Sequence, residues 1–301
     1  MNGSKPGEAL PKCGVVAVVG RPNVGKSTLV NRLVGQKICI VSPMPQTTRN
    51  RISGVCSRPG AQVILLDTPG IHRPKHRMNT SMVQTAVASL SEIDLVYFVV
   101  EVPGLGPGDR HVLSLLRPDG PPVFLVVNKI DRAAKPSILP LIDEASKAFP
   151  FAEIFPVSAR DGDNVEPLIE ATLPRLPDGP PLFPDDQPTD QPERFLAAEL
   201  IREQICLRTH QEVPHEAAVR IESWKEREDG LVSIEATILV EKENQKAIII
   251  GREGALLKSM ATAARLEIEK LLACRVFLKV WVRAEPGWRE DAALLRSLGL
   301  G

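Results

Sequence analysis

Residues Gly20-Arg21-Pro22-Asn23-Val24-Gly25-Lys26-Ser27-Thr28 stand between an uninterrupted apolar run, Val15 to Val19, and a segment in which Leu29, Val30, Leu33 and Val34 recur at helical spacing. A short apolar run without polar alternation is what a strand buried on both faces shows. Strand, glycine loop and helix in that order constrain the fold more than any other stretch, because together they make a P-loop. Two glycines let the intervening backbone N–H groups turn inward on a phosphate chain, and the helix opening at Gly25-Lys26 adds its positive end. In such a cradle Lys26 reaches the outer phosphates and the Ser27 hydroxyl ligates Mg²⁺.

The rest of the first half repeats the rhythm. Apolar runs at Val63 to Leu66, Leu95 to Val100, Val123 to Val127 and Ile154 to Val157 alternate with helical patterns. That alternation predicts an α/β domain, a mostly parallel sheet with helices on both faces, over residues 13–176. Ile52 to Cys56 is read as one further strand, antiparallel at an edge. Residues 177–193 carry prolines without periodicity and are expected to be a stiff, extended linker. Beyond it, residues 194–301 read helix, strand, strand, helix, helix, strand and a last short helix, an α+β sandwich distinct from the first sheet.

Composition narrows the classes. The 301 residues hold 37 basic and 37 acidic side chains, so no bulk field draws the chain to nucleic acid or an anionic membrane, and such a partner must be argued from local sites. The five cysteines stand singly, with no metal-knuckle or redox spacing, as buried thiols in a reducing cytoplasm do. Residues 1–12 lack the apolar core of a secretory signal and are expected to be disordered. The histidines form no metal spacing.

Three further motifs follow apolar runs, at the carboxyl edge where open α/β sheets bind ligands. Asp67-Thr68-Pro69-Gly70 places a carboxylate to hold Mg²⁺ through water and the Gly70 N–H to meet a γ-phosphate. Asn128-Lys129-Ile130-Asp131 reads a base. The acceptor-only Asp131 takes two N–H donors from guanine, Asn128 bonds the other side and ties loops together, and the Lys129 stem lies along the ring. Ser158-Ala159 supplies a small turn over the same base. Between the P-loop and Asp67, Gln46-Thr47-Thr48-Arg49 lies in a proline-flanked loop, with Thr48 preferred over Thr47 as a Mg²⁺ ligand of the triphosphate state.

In the second half, Gly251-Arg252-Glu253-Gly254 joins two helices. Such a GxxG loop admits a nucleic-acid backbone closely. Glu253 puts an acid where phosphates pass, and residues 180–301 hold 17 basic against 21 acidic side chains. Arg252, Lys258, Arg265 and Lys279 are the candidates to meet phosphate. Leu257, Met260, Ala261, Ala264, Ile268 and Leu271 form a stripe expected to be core. Phe277, Lys279, Trp281 and Arg283 share one face of the third strand and can stack and clamp bases, unless Trp288 and the last helix cover that face.

The wording GRPNVGKST, QTTR, DTPGIHRPKHRMN, NKID and VSARDGDN resembles translation-factor-like GTPases and, among them, the Era family. The likeness continues through PPLFPDDQPTDQPERF into FLAAELIREQI, EVPHEAAVRIESW and IIIGREGALLKSM. The resemblance implies a GTPase domain followed by a type II KH domain, and GTP hydrolysis to GDP and phosphate. It also implies binding of small-subunit (16S) rRNA near its 3′ end, rRNA processing and assembly of the small ribosomal subunit. It carries the guanine-nucleotide site over to Gly20 through Thr28, Asp67 through Ile71, Asn128, Lys129, Asp131, Ser158 and Ala159. The RNA contacts are carried to Gly251 through Gly254, Lys258 and Arg265. Ile71 stands where many switch GTPases carry a water-orienting glutamine, which predicts slow hydrolysis. In related GTPases an asparagine at the Asn23 position helps hold K⁺ against the phosphates. Asn23, Lys26, Thr48 and Gly70 are thereby the expected catalytic groups. The chain is expected to be a cytoplasmic monomer with a peripheral inner-membrane fraction, and not to bind DNA. Alternative readings are a GTPase accessory to tRNA modification, against which GREG argues, and a signalling or membrane-surface GTPase whose second domain binds protein.

Overall fold

The computed structural model describes residues 11–44, 47–67, 93–298 and 300. They divide into two compact units, one of residues 11–38, 51–67 and 93–190, the other of residues 39–50 and 191 onward.

The first unit is built on a sheet of strands β1 (Lys12–Val19), β2 (Ile52–Arg58), β3 (Ala61–Asp67), β4 (Leu95–Glu101), β5 (Val123–Asn128) and β6 (Glu153–Pro156). Their order is β2-β3-β1-β4-β5-β6. Only the edge pair β2–β3 is antiparallel, the arrangement expected for Ile52 to Cys56. β5 is buried along its whole length, as its unbroken apolar sequence requires. Helices α1 (Lys26–Val34), α2 (Pro107–Leu113), α3 (Ile138–Ala148) and α4 (Val165–Thr172) complete the alternation. The parallel register decides what meets at the carboxyl edge. Val18 pairs with Asp67 across β1–β3, and Glu101 with Asn128 across β4–β5.

The proline-rich stretch differs from a free linker. Residues 177–190 belong to the first unit, because proline removes donors but keeps its carbonyl as an acceptor. Cys13 N–H donates to Pro177 O at 3.1 Å and Val55 N–H to Pro188 O at 2.8 Å. The amide of Gln62 donates to Phe183 O and accepts from the Leu182 and Phe183 N–H groups. An edge strand that would otherwise present unpaired donors is thus closed.

In the second unit, α5 (Glu193–Arg208) precedes β7 (Ala218–Glu226), β8 (Val232–Val240), α6 (Glu243–Ile250), α7 (Ala255–Leu272), β9 (Val276–Ala284) and α8 (Ala292–Ser297). β7 and β8 are antiparallel, whereas β8 and β9 are parallel and need the crossover that α6 and α7 supply. One face of β8, Val232, Ile234, Ala236, Ile238 and Val240, is buried with Met260, Ala264 and Ile268 of α7, so the apolar stripe is core. Residues 39–50, read from sequence as a loop of the phosphate-binding domain, also belong here, and Ile40 lies in the same core.

Candidate functional site

Gly25 opens α1 at φ 96°, and a Cβ there would lie 2.3 Å from Asn128 Nδ2, so only glycine lets the loop and β5 approach. Across that gap the Asn128 amide donates to Val24 O at 2.8 Å and accepts from Ala159 N–H at 3.0 Å. One side chain therefore clamps the phosphate loop to the Ser158-Ala159 turn, the tie expected of it. Lys26 is buried, with its ammonium on the carbonyls of Gly20 and Arg21 at 3.0 Å each. Burial lowers its pKa to about 8, against the opposing pull of Asp67. The Ser27 hydroxyl donates to Asp67 Oδ2 at 2.7 Å, and that carboxylate is fully buried. Two hard oxygen donors held side by side suit Mg²⁺. Pro22 and Thr28 are half-buried in the same turn.

At the base-reading end, Asp131 accepts from the Ser158 hydroxyl at 2.9 Å, and its other oxygen lies 3.1 Å from the Arg160 guanidinium. Lys129 takes a left-handed backbone, φ 63°, and its ammonium reaches Asn23 O and Glu101 at 2.5 and 2.6 Å. Thr68, Pro69, Gly70, Ile71 and Gln46 lie outside the described residues, as do residues 1–10. Thr48 is buried and belongs to the second unit, whereas Ser27 and Asp67 belong to the first.

The GxxG loop sits between α6 and α7 as expected. Gly251 has φ 70°, and a Cβ there would lie 2.6 Å from Leu256 Cβ. Glu253 and Gly254 also take positive φ, so three of four residues leave ordinary helical geometry, and Arg252 and Glu253 between the glycines are exposed. Along α7 runs a cleft of about 500 Å³ lined by Arg208, Lys258, Thr262, Ala263 and Leu266. Lys258 lines it, whereas Arg265 is held by Glu269 at 2.7 Å.

Comparison with known proteins fits both sites. A family described as 50S ribosome-binding GTPase matches residues 15–129, and the KH domain family matches residues 212–289. GTPase Era of Geobacter metallireducens is 51% identical over 96% of this chain and 97% of its own, and that of Lacticaseibacillus paracasei 48% identical over 95% and 96%. The chain belongs to the Era GTPase family. It is similar to the crystal structure of Era in complex with MgGDPNP and nucleotides 1506–1542 of 16S ribosomal RNA, with TM-score 0.92, 43% identity, and coverage of 97% of this chain and 99% of that one. A variant of Aquifex aeolicus Era bound to GDP.AlF4- matches with TM-score 0.91 and 43% identity over 96% and 99%.

As a member of the Era family the chain is a GTPase with a P-loop domain and a KH domain. Several side chains at its sites escaped sequence reading. Glu101 takes the Arg21 guanidinium at 2.5 Å as well as Lys129, and buried Asp109 takes Arg21 at 3.1 Å. Burial raises Glu101, but bonds from Lys129 and Arg21 outweigh it and hold the carboxyl below its usual range. At Asp109 burial wins over Arg21 and the pKa is raised. Glu101 ends an apolar run opposite Asn128, a signal visible only once strand order is known. Arg49 is buried within the second unit and donates to the carbonyls of Ala217, Pro214 and His215 at 2.8, 3.0 and 3.2 Å. Nearby, Arg202 of α5 donates to Thr47 O, and Val41 N–H to Glu203 at 2.9 Å. The arginine of the proposed switch loop is held by backbone carbonyls far along the chain.

Proposed function

We propose that this chain is a guanine-nucleotide switch that binds small-subunit rRNA near its 3′ end and acts in rRNA processing and assembly of the small ribosomal subunit in the cytoplasm. The observation that carries the reading is the full-length relative seen with MgGDPNP and nucleotides 1506–1542 of 16S rRNA, combined here with the non-helical GxxG turn at Gly251–Gly254. The family model whose description names the 50S subunit covers only residues 15–129, none of the KH domain, so the RNA reading follows the longer match. In the proposed division of labour residues 13–176 bind and hydrolyse GTP, residues 177–193 connect, and residues 194–301 bind RNA.

In the nucleotide site, Asp131 accepts the two guanine N–H donors, with Asn128 holding the loops around the base. Lys26 leaves the loop carbonyls for the outer phosphates. Ser27 and Asp67 would hold Mg²⁺, with Thr48 as the further ligand proposed for the triphosphate state. When bound, that ion spreads the charge developing on the transferred phosphate. The Gly70 N–H meets the γ-phosphate, and Asn23 holds K⁺ in the role an arginine finger plays elsewhere. At fixed ionic strength GTP turnover is expected to be faster in K⁺ than in Na⁺, and to lose that difference in Asn23→Ala. Equal turnover of the parent protein in both salts defeats the K⁺ reading. For the RNA reading, crosslinking in cells followed by sequencing should recover the 3′ region of small-subunit rRNA. No enriched RNA, or enrichment of tRNA alone, defeats it.

A further inference from the structure

The three strands β7, β8 and β9 have two faces: α5, α6 and α7 pack on one, and the other is buried at its Ala218 and Leu239 end. The register puts Arg220 and Lys225 of β7 on the outer face, and Phe277, Lys279, Trp281 and Arg283 of β9 beside them across Ser233, Glu235, Thr237 and Leu239 of β8. Trp288 and α8, the competing cover, pack on Ala218 at one end of the sheet, where its neighbour Leu239 is also buried. Phe277 stays 51% and Trp281 41% exposed. Phe277 and Trp281, on either side of Lys279, thus leave about half of their surface outside the core. Between them Lys279 holds its ammonium 4.6 Å from the Trp281 ring centroid, a cation–π contact that keeps a charge at the edge of a stacking surface.

We infer that the outer face of the β7–β8–β9 sheet is a second RNA-contact surface, on which unpaired bases stack on Phe277 and Trp281 while Lys279, Lys225, Arg220 and Arg283 meet the phosphates. Three observations favour RNA over a protein partner. Four basic side chains stand on this face with three acids, Glu235, Glu222 and Glu285, a slight positive excess in a part of the chain where acids outnumber bases. Lysine between two aromatics is the pattern of single-strand platforms, whereas lysine is depleted where proteins meet. An open sheet face carrying exposed aromatics is also how other small α/β modules display bases for stacking. Glu222 pairs with Arg220 at 2.7 Å and Glu285 with Arg283 at 2.8 Å, so phosphate competes for those two. Lys225 and Lys279 have no acid within ion-pair distance among the described residues and carry most of the attraction.

The surface is separate from the GxxG loop, which lies with α6 and α7 on the other side of the sheet, and it rests on the rRNA reading only for its probe. The test uses the full chain and a synthetic RNA matching nucleotides 1506–1542 of 16S rRNA. Two double variants, Phe277→Ser with Trp281→Ser and Lys225→Glu with Lys279→Glu, are compared with Gly251→Asp, with circular dichroism and thermal unfolding reporting the fold. The aromatic pair should weaken binding about tenfold or more. The lysine pair should also weaken it and flatten the salt dependence by about 0.7 in slope for each phosphate that is no longer neutralised. Weaker binding by either folded double variant supports the surface, and where the serine pair unfolds the lysine pair decides. Affinity within about twofold of the parent in the folded double variants, with weaker binding by Gly251→Asp, overturns the surface and leaves the GxxG reading standing. Weaker binding by the sheet variants with no change in Gly251→Asp supports the surface and defeats the GxxG reading.

Discussion

Asp131 has one oxygen on the Ser158 hydroxyl and the other beside Arg160, so it is positioned before any base arrives. Asp131→Asn turns an acceptor toward guanine's two N–H groups into a mixed donor and acceptor. GDP affinity should fall by about 3 kcal/mol, roughly a hundredfold. Xanthosine diphosphate, which offers a carbonyl where guanine has an amino group, should gain in the same titration. Lys26 gives a pH dependence of definite sign. Its pKa in the folded chain is about 8, well below the ordinary lysine value of 10.5, because burial disfavours the ammonium. Between those values the unfolded chain binds more protons, so the nucleotide-free protein should become more stable as pH rises from about 8 to 10.5, with the penalty full below 8. Phosphate needs the ammonium form, so the Kd for GDP should rise above pH 8. Calorimetry across that range in several buffers would register proton uptake on binding, and a flat Kd would refute the assignment.

Elements show where local sequence and long-range pairing part. The strand before the P-loop, the helix after it and the Asn128 strand are all legible, because an unbroken apolar run and a 3.6-residue period are local properties. The edges are not. Proline-rich residues 177–190 look like a connector, yet the Pro188 carbonyl accepts from β2 and the backbone N–H groups of Leu182 and Phe183 donate to Gln62. Residues 46–49 read as a switch loop, yet Arg49 is buried under three carbonyls, with its pKa lowered to about 9 by that burial. Arg49→Met keeps the stem and leaves three acceptors without their donor, at a cost of about 1–3 kcal/mol. Hydrogen exchange should then speed at the Val41 amide, which bonds Glu203, while amides of β5 keep their protection. Unchanged exchange at Val41 would show that Arg49 does not hold the segment.

For the whole molecule, equal numbers of acids and bases rule out a general electrostatic affinity for RNA, so binding must run through few cations. With Arg252, Lys258, Lys225 and Lys279 as contacts, the slope of log K against log salt should be about −3. A slope several times steeper would point to a basic surface this sequence does not encode. The sequence by itself determined the succession of strands and helices along the chain, the phosphate loop, the guanine-reading motif and the GxxG loop, because each is a run of neighbouring residues whose chemistry needs no partner from afar. Only the tertiary structure decided that Glu101 stands beside Asn128, that Arg21 turns onto Glu101 and Asp109, that Arg49 is buried, and that Phe277 and Trp281 stay uncovered. Those depend on strand register and on where distant carbonyls and helices come to rest, and one-dimensional periodicity carries no record of either. The P-loop itself shows both halves: its backbone shape is written in Gly20 to Thr28, while the contacts that brace it come from β3 and β5, tens of residues away.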